Sequence, residues 1–278
     1  MNVNAKHQSD IETVLAMRHA NGGDYWASAD GGLAVGSPFS TLESLQILHE
    51  LGLGNDHKAV AGALDLILQS WRDDGRYQLA PSGTLYSCYT SNTARVLCRY
   101  GFVNDPRVQK TLAYLLDSPH EDGGWRCNRF AFGKGPETEF SNPGVTLFVL
   151  DALRFTEHLN NNPLLDRAVE TLLDHWTVRR PIGPCQFGIG TLFMQVEYPF
   201  LRYNLFSYVY ILSHYERARE DERFKEALEA LSRKLDDDGR LIVERPNRKL
   251  AGLVAFAKGQ GSEPATIRYK EILRNVDA

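Results

Sequence analysis

Two cysteines and a histidine, Cys88, Cys127 and His175, are the residues of this chain best suited to carry chemistry. Thiolate sulfur and imidazole nitrogen are ligands that zinc prefers, and a catalytic zinc keeps three protein ligands and one open position. We therefore predict a zinc site at these three residues. The alternative is two buried free thiols and a histidine that caps the carboxyl end of a helix. Cys98 is expected in the core, and Cys185 falls on a loop and takes no part in the prediction.

A second set of residues could bind an apolar molecule that carries an anionic group. Arg202 and Lys258 are the cations best placed to hold a diphosphate. Tyr203, Phe206 and Tyr210 share one face of a helical pattern, where they could line a pocket for an apolar chain and stabilise a carbocation through their π faces. For each aromatic residue the alternative is ordinary core packing, and for each cation it is a solvated surface position.

The elements that must position these residues are amphipathic helices. Apolar residues recur at helical spacing throughout the chain, and strand-like alternation never lasts more than a few residues. Thr41, Thr93 and Thr146 each precede a leucine by four residues, at intervals of 52 and 53 residues. The chain is therefore predicted to be all-α and built from repeated helix pairs. The predicted helices cover residues 8–20, 40–51, 56–71, 91–100, 105–116, 142–153, 162–173, 203–215, 222–235 and 263–276.

Short and long connections alternate between these helices. Since paired helices are antiparallel, all the long loops are expected at one end of the molecule, and loops of such length are usually functional. Five pairs would close into a ring, an α/α toroid that forms a single domain over residues 1–278, with residues 1–7 as a flexible tail. The amino ends of the inner helices would then point free N–H groups at one mouth, which suits a diphosphate. The predicted long loops are 21–39, 72–90, 121–143, 177–201 and 236–262.

A turn of the form Glu121-Asp-Gly-Gly-Trp125 recurs along the chain in weaker copies. We interpret it as a structural element that returns the chain from an outer to an inner helix, with Trp125 as a wedge between repeats. Its functional interest is that it delivers Cys127 to the mouth. The copies are Asp30-Gly31-Gly32, Asp74-Gly75-Arg76-Tyr77 and Asp238-Gly239-Arg240-Leu241.

These repeats resemble those of squalene/hopene cyclases and protein prenyltransferase β subunits, and most of all the small single-domain prenyltransferase-like, or squalene-cyclase-like, proteins. The resemblance covers residues 21–276 and implies an α/α toroid with an apolar central pocket for an isoprenoid diphosphate or a similar hydrophobic substrate. Four elements carry it: Cys88-Tyr-Thr-Ser-Asn92, Gly123-Gly124-Trp125-Arg126-Cys127, His175 and the Lys258-Gly259 loop.

Two departures from these families bear on chemistry. Protein prenyltransferases bind zinc through an Asp, a Cys and a His, but Tyr86 stands where their Asp-x-Cys pattern would need the aspartate. Class II cyclases need an Asp-x-Asp-Asp acid at the start of an inner helix, and Phe140-Ser-Asn-Pro-Gly-Val-Thr146 contains no aspartate. Residues 236–238 are three aspartates, but they fall in a turn after an outer helix. No catalytic residue is therefore assigned.

The sequence favours a prenyltransferase-like or terpene-cyclase-like enzyme with an apolar pocket and zinc as the cofactor considered. The alternative is a non-catalytic binding or scaffold protein that keeps the pocket without the chemistry. A zinc toroid of the lanthionine-cyclase type is disfavoured because no Cys and His are adjacent in this chain.

Composition sets limits on partners and location. The formal net charge is -4 and the sequence pI is near 6.1, so no basic field recruits nucleic acid. No apolar run approaches the roughly 20 residues of a membrane span, and residues 1–10 lack the apolar core of a signal peptide. The four cysteines do not resemble a disulfide framework in a chain of 278 residues. We expect a cytoplasmic protein with reduced thiols and no integral membrane segment.

Overall fold

A computed structural model describes residues 7–129 and 135–278, and it confirms the all-α class. Isolated bridges are the only β-type pairing in these ranges. Eleven α-helices form there: α1 (Gln8–Ala16), α2 (Thr41–Glu50), α3 (Lys58–Gln69), α4 (Ser87–Arg99), α5 (Pro106–Leu116), α6 (Pro143–Leu153), α7 (Pro163–Val178), α8 (Leu205–Leu212), α9 (Glu216–Arg219), α10 (Glu222–Ser232) and α11 (Glu263–Val276).

The helices form two concentric layers. Successive inner helices pack on each other in the order α2, α4, α6, α8 and α11. Every residue of α8 is buried, as expected for a helix that is apolar on all sides, whereas its outer partner α10 buries only Phe224, Ala227 and Leu231. The other outer helices are α3, α5 and α7, which pack on α2, α4 and α6.

Contacts between the two ends of the chain close the ring. Arg268 of α11 donates from Nε to Glu50 Oε2 of α2 at 2.8 Å. Asp10 of α1 accepts hydrogen bonds from the backbone N–H groups of Val254 and Ala255, at 2.9 and 2.7 Å, just before α11. Helix α1 therefore packs at the closure, on α2 and on the loop that leads into α11, and the predicted all-α toroid is confirmed.

The Asp-Gly turns hold the outer helices to the inner ones. The indole N–H of Trp125 donates to Leu115 O at 2.8 Å, and its backbone N–H donates to Thr146 Oγ1 at 3.0 Å. The same backbone contact joins Leu241 to Thr266 at 2.9 Å. At Gly124 an added Cβ would lie 2.6 Å from Thr146 Oγ1, so the turn approaches α6 too closely for any side chain. Thr146 and Thr266 therefore anchor the turns that pack on their helices, whereas the hydroxyls of Thr41 and Thr93 have no hydrogen-bond partner among the described residues.

Local capping explains most helix starts, and one start was predicted wrongly. Side chains of Ser40, Asp105, Asn142 and Asn162 accept hydrogen bonds from the first turn of their helices, as their positions in the sequence suggested. Helix α4 begins at Ser87, four residues before the predicted cap. There Asn128 Oδ1, from a distant loop, accepts the Ser87 backbone N–H at 2.9 Å, so the cap is tertiary.

Of the predicted flexible tail, residues 1–7, only His7 lies within the described residues, and it is buried. His7 is only 4% exposed, and its imidazole lies 3.9 Å from Asp10 and 3.8 Å from Glu263. The rest of that segment, residues 1–6, lies outside the described residues. None of the helices in the described ranges is long and apolar enough to cross a membrane. The cytoplasmic location stays a prediction.

A buried network of ion pairs crosses the inner helices near their carboxyl ends, and the sequence analysis missed it. Asp151 of α6 lies 2.7 Å from Arg99 Nη2 and 2.7 Å from Arg154 Nε. Arg95, fully buried, lies 3.5 Å from the same carboxylate, and Arg99 also reaches Glu50 at 2.8 Å. The network joins α2, α4, α6 and, through Arg268, α11.

Candidate functional site

A cavity of about 540 Å³ opens at the long-loop end of the toroid. Its walls come from the amino ends of α4 and α6 and from three of the predicted long loops. One group of lining side chains is apolar: Val145, Phe148, Phe187, Leu192, Phe193 and Leu201. The other is polar or reactive: Cys88, Cys127, Cys185, Arg129, Asn142, Glu197, Arg202, Tyr203 and Arg245. We call this cavity the mouth pocket.

Three cysteines, all free, converge in the mouth pocket. The sulfur of Cys127 accepts a hydrogen bond from the backbone N–H of Arg129 at 3.4 Å. The neighbouring thiols of Cys185 and Cys88 and this N–H lower the pKa of Cys127, and proximity to Cys127 together with burial raises the pKa values of Cys88 and Cys185. Cys127 is therefore the cysteine of this cluster that most readily forms a thiolate.

His175 does not join this cluster. Its Nδ1 lies 2.9 Å from the hydroxyl of Tyr203 and its Nε2 lies 3.2 Å from the carbonyl oxygen of Arg180. Burial lowers the pKa of His175 to about 4, so the ring is neutral near pH 7, with Nε2–H donating to the carbonyl and Nδ1 accepting from the hydroxyl. Both ring nitrogens are engaged, as expected for a structural histidine at the end of α7.

The predicted zinc ligands therefore do not fit the positions that these residues occupy. Cys88 and Cys127 come together, but the third place beside them is taken by Cys185 and not by His175. Within residues 7–129 and 135–278, no group of three or more His, Cys, Asp or Glu residues is arranged to hold a metal ion. Zinc binding stays a prediction, and we derive no chemistry from it.

The five predicted ligand-binding residues fall in four places. Arg202 and Tyr203 line the mouth pocket. Phe206 is buried in an aromatic cluster, with its ring centroid 4.8 Å from that of Phe200. Tyr210 lies at the other end of the toroid, because seven residues of helix advance the chain by about 10 Å, and its hydroxyl donates to Glu271 at 2.9 Å. Lys258 is exposed on its loop and does not line the pocket. A shared helix face therefore did not mean a shared site.

Glu197 is the carboxylate of the mouth pocket, and the sequence analysis missed it. It is almost fully buried, with Arg202 Nε at 3.6 Å and Arg245 Nη1 at 3.9 Å from its carboxylate oxygens. Burial raises the pKa of Glu197, although both arginines oppose the rise. A carboxyl group with a raised pKa is suited to proton transfer. The sequence signal that could have identified Glu197 was its position as a single charged residue in an apolar stretch, between Val196 and Tyr198.

Comparisons with known proteins reveal only remote structural likeness. No protein-family model matches the chain, and no curated protein matches it. Among solved structures, a protein from Actinoplanes is 16% identical, with a TM-score of 0.49 over 98% of this chain and 83% of that one. The type II terpene cyclase MstE from Scytonema, in its apo form, is 13% identical, with a TM-score of 0.48 over 98% of this chain and 74% of that one. Likeness at this level does not assign a function.

The lowered pKa of Cys127 predicts how the reactivity of this thiol depends on pH. Alkylation by iodoacetamide follows the thiolate fraction, so the pH profile of the rate at Cys127 should lie at lower pH than that of an ordinary thiol, whose rate rises about tenfold per pH unit below its pKa. Peptide mass spectrometry after timed alkylation resolves the four cysteines. Cys185→Ala removes one donor and should move the profile of Cys127 to higher pH. An ordinary thiol profile at Cys127 in the unmodified chain would contradict the assignment.

Proposed function

We propose that the mouth pocket binds a largely apolar molecule with an anionic group, of the isoprenoid diphosphate kind, and that the protein is prenyltransferase-like or terpene-cyclase-like in function. One observation carries the proposal: a single cavity joins an apolar wall to three arginines and a cysteine cluster. Its volume of about 540 Å³ lies within the usual range for small-molecule pockets.

The apolar wall supports the isoprenoid part of the ligand. Phe148 and Leu192 are the informative residues, because each is left partly or largely exposed on an otherwise buried element or loop. Phe148 is the single residue of α6 that is not fully buried, and Leu192 is 60% exposed. An apolar chain that covered both side chains would remove their surface from water, at about 25 cal/mol per Å².

The charges of the pocket support an anionic group. Arg129, Arg202 and Arg245 line it together with a single carboxylate, Glu197, so the cations are in excess. The amino end of α6 adds the partial positive charge of its helix dipole, although the Asn142 side chain already accepts the Val145 N–H. Arginine is well suited to this role because its planar guanidinium can form paired hydrogen bonds with phosphate oxygens.

Two groups in the pocket could act on a bound ligand. The Cys127 thiolate could attack the allylic carbon of a diphosphate ester, forming a C–S bond as the C–O bond breaks and diphosphate leaves, and Glu197 could transfer a proton. The alternative, a binding protein without chemistry, is favoured because the Glu197 carboxylate is already engaged by two arginines, at 3.6 and 3.9 Å.

Ligand titration tests the proposal. Farnesyl diphosphate should bind more tightly than farnesol or inorganic diphosphate, as followed by isothermal titration calorimetry. Arg202→Gln and Arg245→Gln should each weaken farnesyl diphosphate binding about tenfold, the loss expected for a charged hydrogen bond, and should leave farnesol binding unchanged. Arg233→Gln, at the exposed residue that follows α10, is the matched control.

Two results of this titration would count against the proposal: failure of farnesyl diphosphate to bind, or equal affinity in the pocket variants and the Arg233→Gln control. Recovery of the ligand then separates the two functions. Released diphosphate or a cyclised product would identify an enzyme, and unchanged ligand at full occupancy would identify a binding protein.

A further inference from the structure

The toroid carries a second cavity, of about 420 Å³, at the end opposite the mouth pocket. It lies at the carboxyl ends of the inner helices, beyond the last residues of α2, α4 and α6. Its lining includes Arg99, Arg154, Tyr210, Arg268, Glu271 and Arg274. We call it the arginine cavity. None of these residues lines the mouth pocket.

Cations outnumber carboxylates around the arginine cavity. Four arginines line it, and Arg95 stands directly behind them. The carboxylates that pair with these five residues are Glu50, Asp151 and Glu271. His214 adds no charge, because burial and the neighbouring Arg154 lower its pKa to about 3. Five arginines against three carboxylates leave an excess of two positive charges.

Several guanidinium nitrogens at the cavity remain available. Arg154 donates from Nε to Asp151 at 2.7 Å and lies 3.0 Å from His214 through Nη1, but its Nη2 has no partner among the described residues. Arg268 likewise pairs through Nε with Glu50 and through Nη1 with Glu271, and its Nη2 has no described partner. Arg274 pairs only weakly, from Nε to Lys270 O at 3.4 Å. The cavity therefore offers spare charged donors.

Helix ends alone do not account for this arrangement. The carboxyl ends of helices carry partial negative charge, which attracts arginines. Yet the paired nitrogens of Arg154 and Arg268 go to side chains and not to helix carbonyls. Aromatic rings also fix the guanidinium groups in place, since Arg154 lies 4.2 Å from the ring centroid of Phe155 and Arg268 lies 5.9 Å from that of Tyr210. Fixed cations with spare donors are the features of an anion site.

We propose that the arginine cavity binds a small oxyanion, either inorganic phosphate or the phosphate group of a small molecule, through Arg154, Arg268 and Arg274. A tetrahedral phosphate presents acceptors in several directions, which suits donors that converge from α11 and from the residue after α6. Glu271 occupies part of this site as an internal anion, because it accepts hydrogen bonds from Arg268 and from the hydroxyl of Tyr210. Its negative charge lies beside the spare donors and opposes the binding of a second anion.

Two substitutions with opposite expected effects test the site. Arg274→Gln removes an exposed cation and should weaken the binding of inorganic phosphate about tenfold, which corresponds to about 1.4 kcal/mol. Glu271→Gln removes the opposing carboxylate and should tighten the binding of phosphate severalfold. Isothermal titration with inorganic phosphate at constant ionic strength, set with sodium chloride, measures both effects. A phosphomonoester such as glycerol phosphate, titrated in parallel, shows whether the natural ligand can extend beyond the phosphate group.

Arg233→Gln is again the control, and thermal unfolding without phosphate verifies that each variant is folded. The proposal holds if phosphate binds and the two variants shift its affinity in opposite directions. It is overturned if phosphate binds no better than chloride, or if Arg274→Gln and Glu271→Gln bind phosphate as the control does. Because the mouth pocket lies at the other end of the toroid, farnesyl diphosphate binding in the Arg202 and Arg245 variants is tested separately.

Discussion

Substitution of Asp151 by asparagine is expected to destabilise the folded protein by about 3–5 kcal/mol, the cost of breaking a buried ion pair by removing one partner. The Asp151 side chain is fully buried and faces Arg95, Arg99 and Arg154. Without its charge, these cations would remain buried with too few counterions. Chemical denaturation followed by circular dichroism measures the loss. A domain has only about 5–15 kcal/mol of stability in total, so the variant could lose most of it.

Asp174→Asn is the matched control for this experiment. Asp174 pairs with Arg223 at 2.8 Å, but its side chain is 66% exposed, and exposed ion pairs contribute about 0–1 kcal/mol. Equal losses in the two variants would show that the buried network does not hold the inner helices together.

The same network predicts how stability depends on pH. The nearby arginines hold the pKa of Asp151 below its ordinary value, and those around Glu50 do the same for that carboxyl. A carboxyl group with a depressed pKa in the folded state stabilises the fold above its unfolded pKa, and this stabilisation is lost as the pH falls through the folded pKa. The free energy of unfolding should therefore decrease in acid, and it should decrease less steeply in the Asp151→Asn variant.

Trp125→Ala is expected to cost about 3–5 kcal/mol, as typical for truncation of a large buried aromatic residue. Trp125 is 3% exposed, and its indole N–H bonds to Leu115 O at 2.8 Å. Removing it leaves a cavity between α5 and α6, while Leu115 O keeps its hydrogen bond from the Ser118 backbone N–H at 3.3 Å. Trp125→Phe keeps most of the packing and should lose less, roughly 0.5–1.5 kcal/mol for one net hydrogen bond. Urea denaturation ranks the two variants. If both variants lose the same free energy of unfolding, the loss comes from the indole hydrogen bond and not from the packing of the Trp125 ring.

The repeat architecture was predictable because its signals are local. The Asp-Gly turns, the side chains that cap the helices and the threonine spacing all lie within a few residues of the elements that they define. Trp125 and Thr146 illustrate this: both were identified in the sequence as parts of the repeat, and they meet in the structure. The start of α4 was not predictable, since Asn128 caps it from a separate loop.

The composition of the site depends on long loops, whose sequences have no periodic pattern from which their contacts could be predicted. Cys185, Glu197 and Arg245 reach the mouth pocket from two such loops, and nothing in their spacing relates them to Cys127. His175 was placed correctly near the end of an outer helix, but its ring direction is decided by Tyr203 and by the carbonyl of Arg180.

The buried network escaped prediction for a related reason. Arg95 and Asp151 lie within apolar helical patterns. In a sequence, a single charged residue there looks like an interruption of the apolar pattern and not like one member of an ion pair. Their partnership is tertiary, because the two residues are 56 positions apart in the chain. Charged residues on the inner helices of a toroid therefore need partners that only the closed ring supplies.

Protection of Cys127 from alkylation tests most directly whether the mouth pocket is a ligand site. Iodoacetamide is added with increasing farnesyl diphosphate, and modification of Cys127 is followed by mass spectrometry, with Cys98, buried within α4, as the internal reference. We expect the alkylation of Cys127 to decrease with the same concentration dependence that calorimetry gives for binding. Alkylation that continues unchanged at saturating ligand would contradict the account, because the ligand would then bind away from the cysteine cluster.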